Sequence, residues 1–148
     1  MFKHLLIPTD GSELSKKAIR AAIAFARETG ARVTGYYALE TRPAQVFGEG
    51  YRFPDAKMAD EHERVLREAG VQHLKAIGKA ANDAGVAFDS IVSEAVSPHE
   101  GIVNAARERD CDVIFMASHG RKGLARVALG SVTNDVLTHS TIPVLVYR

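Results

Sequence analysis

The chain has 148 residues, enough for one domain with a real core and too few for two of ordinary size, so a single domain over residues 1–148 is expected. Nineteen basic and eighteen acidic side chains leave a formal net charge of +1, which gives no global field to attract nucleic acid or an acidic membrane surface. A composition that is 46% hydrophobic and 25% charged excludes disordered and collagenous chains, and no apolar run approaches the roughly 20 residues of a bilayer span.

From the N-terminus, Met1-Phe2-Lys3-His4 leads straight into Leu5-Leu6-Ile7 without the pattern of a signal peptide, so a cytoplasmic protein is expected. That short apolar run, halted by Pro8, reads as a buried strand ending at the turn Thr9-Asp10-Gly11-Ser12. Leu14, Ala18, Ala21 and Phe25 then recur at helical spacing, with Ser12 as N-cap, Glu13 in the first turn and Gly30 as the stop. Residues 33–39 read as a second strand, and residues 40–54, with their glycines and prolines, as a long loop expected to act as a flap beside a site.

Residues 55–84 read as a long helix carrying Met58, Val65, Ala69, Ala76, Ala80 and Ala84 near one face, weakened at Gly70 and ended by Gly85. Residues 86–92 form the expected third strand. Ser97-Pro98-His99-Glu100 has the signature of a capping box with proline at the first helical position, opening a helix to about Arg109. The lone cysteine, Cys111, rules out an internal disulfide framework, fits a reducing compartment and falls just before a fourth buried strand at 112–117. A glycine-bearing loop follows, then a helix from Ser131 with Val132, Val136 and Leu137, and a closing strand at 142–147 whose Pro143 points to a sheet edge.

Five strands alternating with four helices, as apolar runs rather than strict alternation, predict the α/β class: an open parallel sheet covered by helices on both faces. In such sheets ligands settle beyond the carboxyl ends of the strands where the strand order reverses, which directs attention to the loops after strands one and four. The first, Pro8-Thr9-Asp10-Gly11-Ser12, suits an anion at a helix N-terminus or Mg²⁺ on Asp10, and equally a plain helix cap. The second, Ala117-Ser118-His119-Gly120-Arg121-Lys122-Gly123, continues to Gly130-Ser131-Val132-Thr133. Its glycines, hydroxyls and cations suit phosphate.

Neither a G-x-G-x-x-G after the first strand nor a Walker G-x-x-x-x-G-K-[ST] is present. The six histidines stand at no metal-ligand spacing, so a structural metal is not expected. Ser118, His119 and Asp112 lack the G-x-S-x-G elbow of a hydrolase.

On these segments the whole chain resembles the universal stress protein family. The likeness lies in residues 3–12, the Pro98-His99-Glu100 helix start, residues 117–133 and the closing Ile142-Pro143-Val144-Leu145-Val146. The family's ATP-binding branch has glycine, two residues, glycine, nine residues, then glycine followed by serine or threonine. That pattern falls here on Ala117, Gly120, Gly130 and Ser131, with alanine replacing the first glycine. The resemblance implies a Rossmann-like sheet of order 3-2-1-4-5 holding ATP, with Mg²⁺ or Mn²⁺ through its phosphates. It places Pro8, Thr9 and Asp10 beside the adenosine and metal, Ala38 against adenine through its backbone, residues 117–123 around ribose and phosphates, and Ser131, Val132 and Thr133 on phosphate oxygens. His119 becomes a wall of the site. The resemblance also implies a homodimer through the last strand, and a regulatory stress-response module with at most slow ATP hydrolysis or self-phosphorylation. An ATP-cleaving adenylate-forming enzyme and a nucleotide-free family member are the competing readings.

Overall fold

The computed structural model describes residues 1–40, 56–119 and 129–148. Their elements are β1 (His4–Pro8), α1 (Glu13–Thr29), β2 (Arg32–Glu40), α2 (Ala56–Asp83), β3 (Phe88–Ala95), α3 (Pro98–Glu108), β4 (Val113–Ala117), α4 (Ser131–His139) and β5 (Val144–Tyr147). The strands make one parallel sheet in the order β3-β2-β1-β4-β5, as expected. Right-handed crossovers from β1 to β3 and back out to β5 must put α1 and α2 on one face and α3 and α4 on the other. Accordingly Leu5, Ile7, Val33, Tyr37, Val113 and Phe115 pack with Ile19, Ile23, Leu74 and Ile77. Leu6, Tyr36, Ile114 and Met116 pack with Ile102, Val103, Ala106 and Val136. With both faces covered, adjacent strand residues are both buried, which is why the strands read as unbroken apolar runs.

Helix α1 begins and ends as its sequence dictates. The Ser12 hydroxyl accepts from Ser15 N at 3.2 Å, and Gly30 closes the helix at φ +67°. Its buried stripe is Ser15, Ala18, Ile19, Ala22, Ile23 and Ala26, turned slightly from the face expected. The expected face of α2 is wrong. Met58 and Val65 are 55% and 51% exposed, whereas Gly70, Leu74, Ile77 and Ala81 are buried. The glycines decide this. A side chain at Gly70 would run into the Tyr37 ring, and a Cβ at Gly78 would lie 2.8 Å from Phe88, so the stripe that lets the helix sit closest to the sheet is the one that packs.

Two further expectations need correction. β3 begins at Phe88 and runs on to Ala95, not 92, because its ladder with β2 continues to Glu40↔Ala95. Ser97 holds the N-cap position of α3 with Pro98 in the first turn, yet its hydroxyl makes no cap bond and is buried without a partner among the described residues. The turn is instead seated by Gly101, whose missing side chain admits the Tyr36 hydroxyl. β5 lies at the sheet edge, as Pro143 led one to expect; the Pro143 carbonyl accepts from Ile114 N at 2.9 Å just before the strand begins.

Candidate functional site

The sheet opens where its order reverses. β1 stays paired with β2 as far as Pro8↔Tyr36, and β4 with β5 as far as Ala117↔Tyr147. Between β1 and β4 the pairs are Leu5↔Val113 and Leu6↔Ile114. The cause is chemical. The His4 carbonyl accepts from Asp112 N at 3.0 Å, so the backbones of residues 4, 6 and 8 face β4, and Pro8 has no N–H to continue that ladder. The strands part beyond it, leaving a cleft at their carboxyl ends.

On one side of the cleft stands the loop after β1. Thr9 N donates to Tyr36 O at 3.0 Å, and the Thr9 hydroxyl bonds the buried Ser15 hydroxyl at 2.9 Å and accepts from Gly11 N at 3.1 Å. Asp10 Oδ1 accepts from Ser12 N at 2.9 Å. Gly11 sits at φ +78°, a conformation costly for any residue with a Cβ. The Gly11 and Ser12 amides are bonded within the loop and the Thr9 amide to β2, so what the loop offers a ligand is side-chain oxygen. A carboxylate that accepts one N–H retains further acceptor sites. One carboxylate beside hydroxyls fits Mg²⁺ carried on phosphates and water, not a cage built wholly of protein; among the described residues no three His, Cys, Asp or Glu side chains gather to hold a metal.

Across the cleft, the segment after β4 is pinned at both ends. Ser118 N donates to Tyr147 O at 2.7 Å, and Ser118 O accepts from Gly130 N at 2.8 Å. The buried Thr133 hydroxyl donates to Ala117 O at 2.9 Å. Helix α4 therefore starts directly over the end of β4. Its cap is Gly130, extended at φ −62° and ψ 152°, with no capping side chain and no acid in the first turn. The first intrahelical bond runs from Asn134 N to Gly130 O at 2.9 Å, which leaves the amides of Ser131, Val132 and Thr133 ahead of the helical ladder. Unlike α1, this N-terminus has no side-chain cap among the described residues, and three leading amides with the positive end of the dipole are chemically suited to an anion.

Ala117 is the last residue of β4, and extended backbone costs alanine nothing. Ala38 is half-buried near the end of β2. Tyr36 O bonds toward β1, so by alternation the Ala38 backbone faces the place where β1 has already turned away. Gly120, Arg121, Lys122, Gly123 and most of the expected flap at 40–54 lie outside the described residues. His119 Nδ1 lies 2.9 Å from the Ser118 hydroxyl, but the Asp112 carboxylate holds Lys3 N and His4 N at 2.8 and 3.1 Å at the opposite end of β4, so these three make no triad. Sequence reasoning missed Ser15, which steadies Thr9, and His73 of α2, which reaches the Gly11 turn. A helical pattern marks neither contact.

Comparison with known proteins gives this geometry a context. A model of the universal stress protein family matches residues 1–148. Universal stress protein MJ0531 of Methanocaldococcus jannaschii is 33% identical over 148 residues, covering 100% of this chain and 83% of that protein. The solved structure of the hypothetical protein MJ0577, from the same archaeon, has a TM-score of 0.84 and 32% identity, covering 99% of this chain and 95% of that one. A universal stress protein from Archaeoglobus fulgidus, solved in complex with dAMP, shares the fold with a TM-score of 0.65 at 18% identity over 100% of this chain and 98% of that one.

Proposed function

The chain belongs to the universal stress protein family, and from that footing we propose that it is an adenine-nucleotide-binding module whose ligand is ATP with Mg²⁺. The observation that carries the reading is the uncapped N-terminus of α4, opening at the cleft between β1 and β4 with no acid in its first turn. Ser131, Val132 and Thr133 take phosphate oxygens, Asp10 helps hold the metal, and the Ala38 backbone meets the base. Bound Mg²⁺ neutralises phosphate charge and orients the triphosphate. The dAMP complex of the Archaeoglobus fulgidus protein supports an adenine nucleotide in this fold. In this reading the module signals by nucleotide occupancy and turns ATP over slowly at most.

The same reading includes a homodimer through β5. The carbonyls of Pro143 and Tyr147 bond to β4, so by alternation Val144 and Val146 present their N–H and C=O groups outward, as an edge open to a twin strand. Val146→Pro removes an outward N–H and leaves the ladder to β4 intact. Sedimentation should show a dimer in the parent and a monomer in this variant; a parent that sediments as a monomer rejects the interface.

To test the ligand, the purified protein is denatured, released nucleotide is identified by chromatography, and melting is followed with and without Mg-ATP. At a ligand concentration about 100 times Kd the gain is about 2.7 kcal/mol, or roughly 5–10 °C for a domain of this size. No released nucleotide and no shift in melting together reject the reading.

A further inference from the structure

We propose that His73 is a positioning residue of the nucleotide site, its imidazole wedged between Tyr37 and the Gly11 turn so that Asp10 and Thr9 are held ready for ligand. The inference rests on the nucleotide reading above and adds to it an element, α2, that neither the motif nor the cleft brings in. His73 lies at mid-helix on the sheet-facing side, between the buried Gly70 and Leu74. Its ring stacks on Tyr37 with centroids 5.9 Å apart and planes inclined by 27°. Tyr37 is only 6% exposed and is itself held against the bare backbone of Gly70, so the stack has a fixed backing.

The other side of the imidazole meets the loop. A Cβ built on Gly11 would lie 2.5 Å from both Cε1 and Nε2 of His73, which puts the ring edge where a side chain would otherwise be. Gly11 is thus required twice, for its positive φ and for the space the imidazole takes. The turn it occupies is tied to the ligand groups: Ser12 N is bonded to Asp10 Oδ1, and Gly11 N to the Thr9 hydroxyl. Displacing Gly11 therefore moves both the carboxylate and the hydroxyl. The Thr9 amide ties the start of the loop to β2 through Tyr36 O, while the bonds of Gly11 and Ser12 join loop neighbours to one another; the His73 contact is what sets the place of the turn's tip. Holding binding groups in their bound arrangement raises affinity by removing the ordering cost from the binding step.

The test is a double-mutant cycle read by calorimetric titration of the full chain with Mg-ATP, with melting and amide hydrogen exchange alongside. His73→Ala should weaken Mg-ATP binding by about five- to tenfold and speed exchange at the Ser12 amide. Gly11→Ala should weaken binding by more than about tenfold, and the double variant should bind at least as tightly as Gly11→Ala alone, because the ring opposing the new methyl is gone. Trace Mn-ATP should broaden the ring-proton signals of His73 in the parent. A residue that only fills space would lower the melting temperature, leave Kd unchanged well below it, and show no coupling in Kd. That outcome, with parent affinity intact, overturns the role of His73 alone; a parent that binds no Mg-ATP overturns the nucleotide reading and this one with it.

Discussion

Gly130 gives the sharpest perturbation of the cleft, because its backbone conformation accepts a charged residue. Its φ of −62° and ψ of 152° suit any residue, and at an N-cap aspartate or asparagine is as good as glycine or better by a few tenths of a kcal/mol. In Gly130→Asp the new carboxylate accepts from the amide of Val132 or Thr133, two of the donors that phosphate needs, and adds a negative charge in direct competition with phosphate; we take a separation of about 4 Å. At that distance two unit charges repel by roughly 4 kcal/mol at an effective dielectric near 20 and by about 1 kcal/mol in bulk water. With the lost hydrogen bonds to a charged group, worth about 1.5–3 kcal/mol, the penalty is at least about 2.5 kcal/mol, or more than about fiftyfold in Kd. Gly130→Asn has nearly the same size and capping power without the charge, so it should retain markedly more affinity. Calorimetry with Mg-ATP reads the two variants, and melting checks that both stay folded. A folded Gly130→Asp that binds within threefold of the parent would refute the phosphate cradle.

Three further outcomes follow from buried groups. Thr133→Val keeps volume but leaves the Ala117 carbonyl without the 2.9 Å bond from the hydroxyl; unfolding in urea should show a loss of about 1 kcal/mol, and no loss would mean the bond contributes nothing net. His4 is buried on a 2.7 Å bond to the Thr34 hydroxyl, and burial followed by the nearby Arg32 charge holds its pKa below the ordinary 6.5. Below that ordinary value the unfolded chain takes up a proton that the folded chain resists, so stability should be flat above about pH 6.5 and fall on acidification toward the folded pKa. His4→Gln should lose that part of the acid-side slope, and an unchanged urea-midpoint profile would refute the assignment. Burial pushes the Cys111 thiol up to about 11, so a thiol reagent at neutral pH should react with it only as fast as the protein opens; immediate reaction with the native protein would contradict its environment.

Much of the fold was legible because its signals are local. Ser12 and Gly30 bracket α1, and unbroken apolar runs declare a sheet buried on both faces. Where two stripes of one helix are both apolar, as in α2, the choice is made by the partner: Gly70 and Gly78 pack because Tyr37 and Phe88 stand opposite them, and those neighbours come from other strands. Ser97 has the right residue at a cap and forms no cap bond, since the seating of Gly101 on Tyr36 sets the first turn of α3. The candidate site divides in the same way. Its glycine and hydroxyl pattern can be read along the chain, whereas the parting of β1 and β4 depends on which edge of β1 Pro8 turns toward its neighbour. The reach of His73 to Gly11 depends on where α2 crosses the sheet. Both are consequences of tertiary placement that no spacing encodes.

Titration of ¹⁵N-labelled protein with Mg-ATP, followed at every backbone amide, reads both sides of the nucleotide cleft in one experiment. The amides of Ser131, Val132 and Thr133 should shift together with those of residues 9–12 and Ala38, saturating with one affinity. Saturable binding that leaves the first turn of α4 unmoved, or no saturable shift at all, would contradict the nucleotide reading.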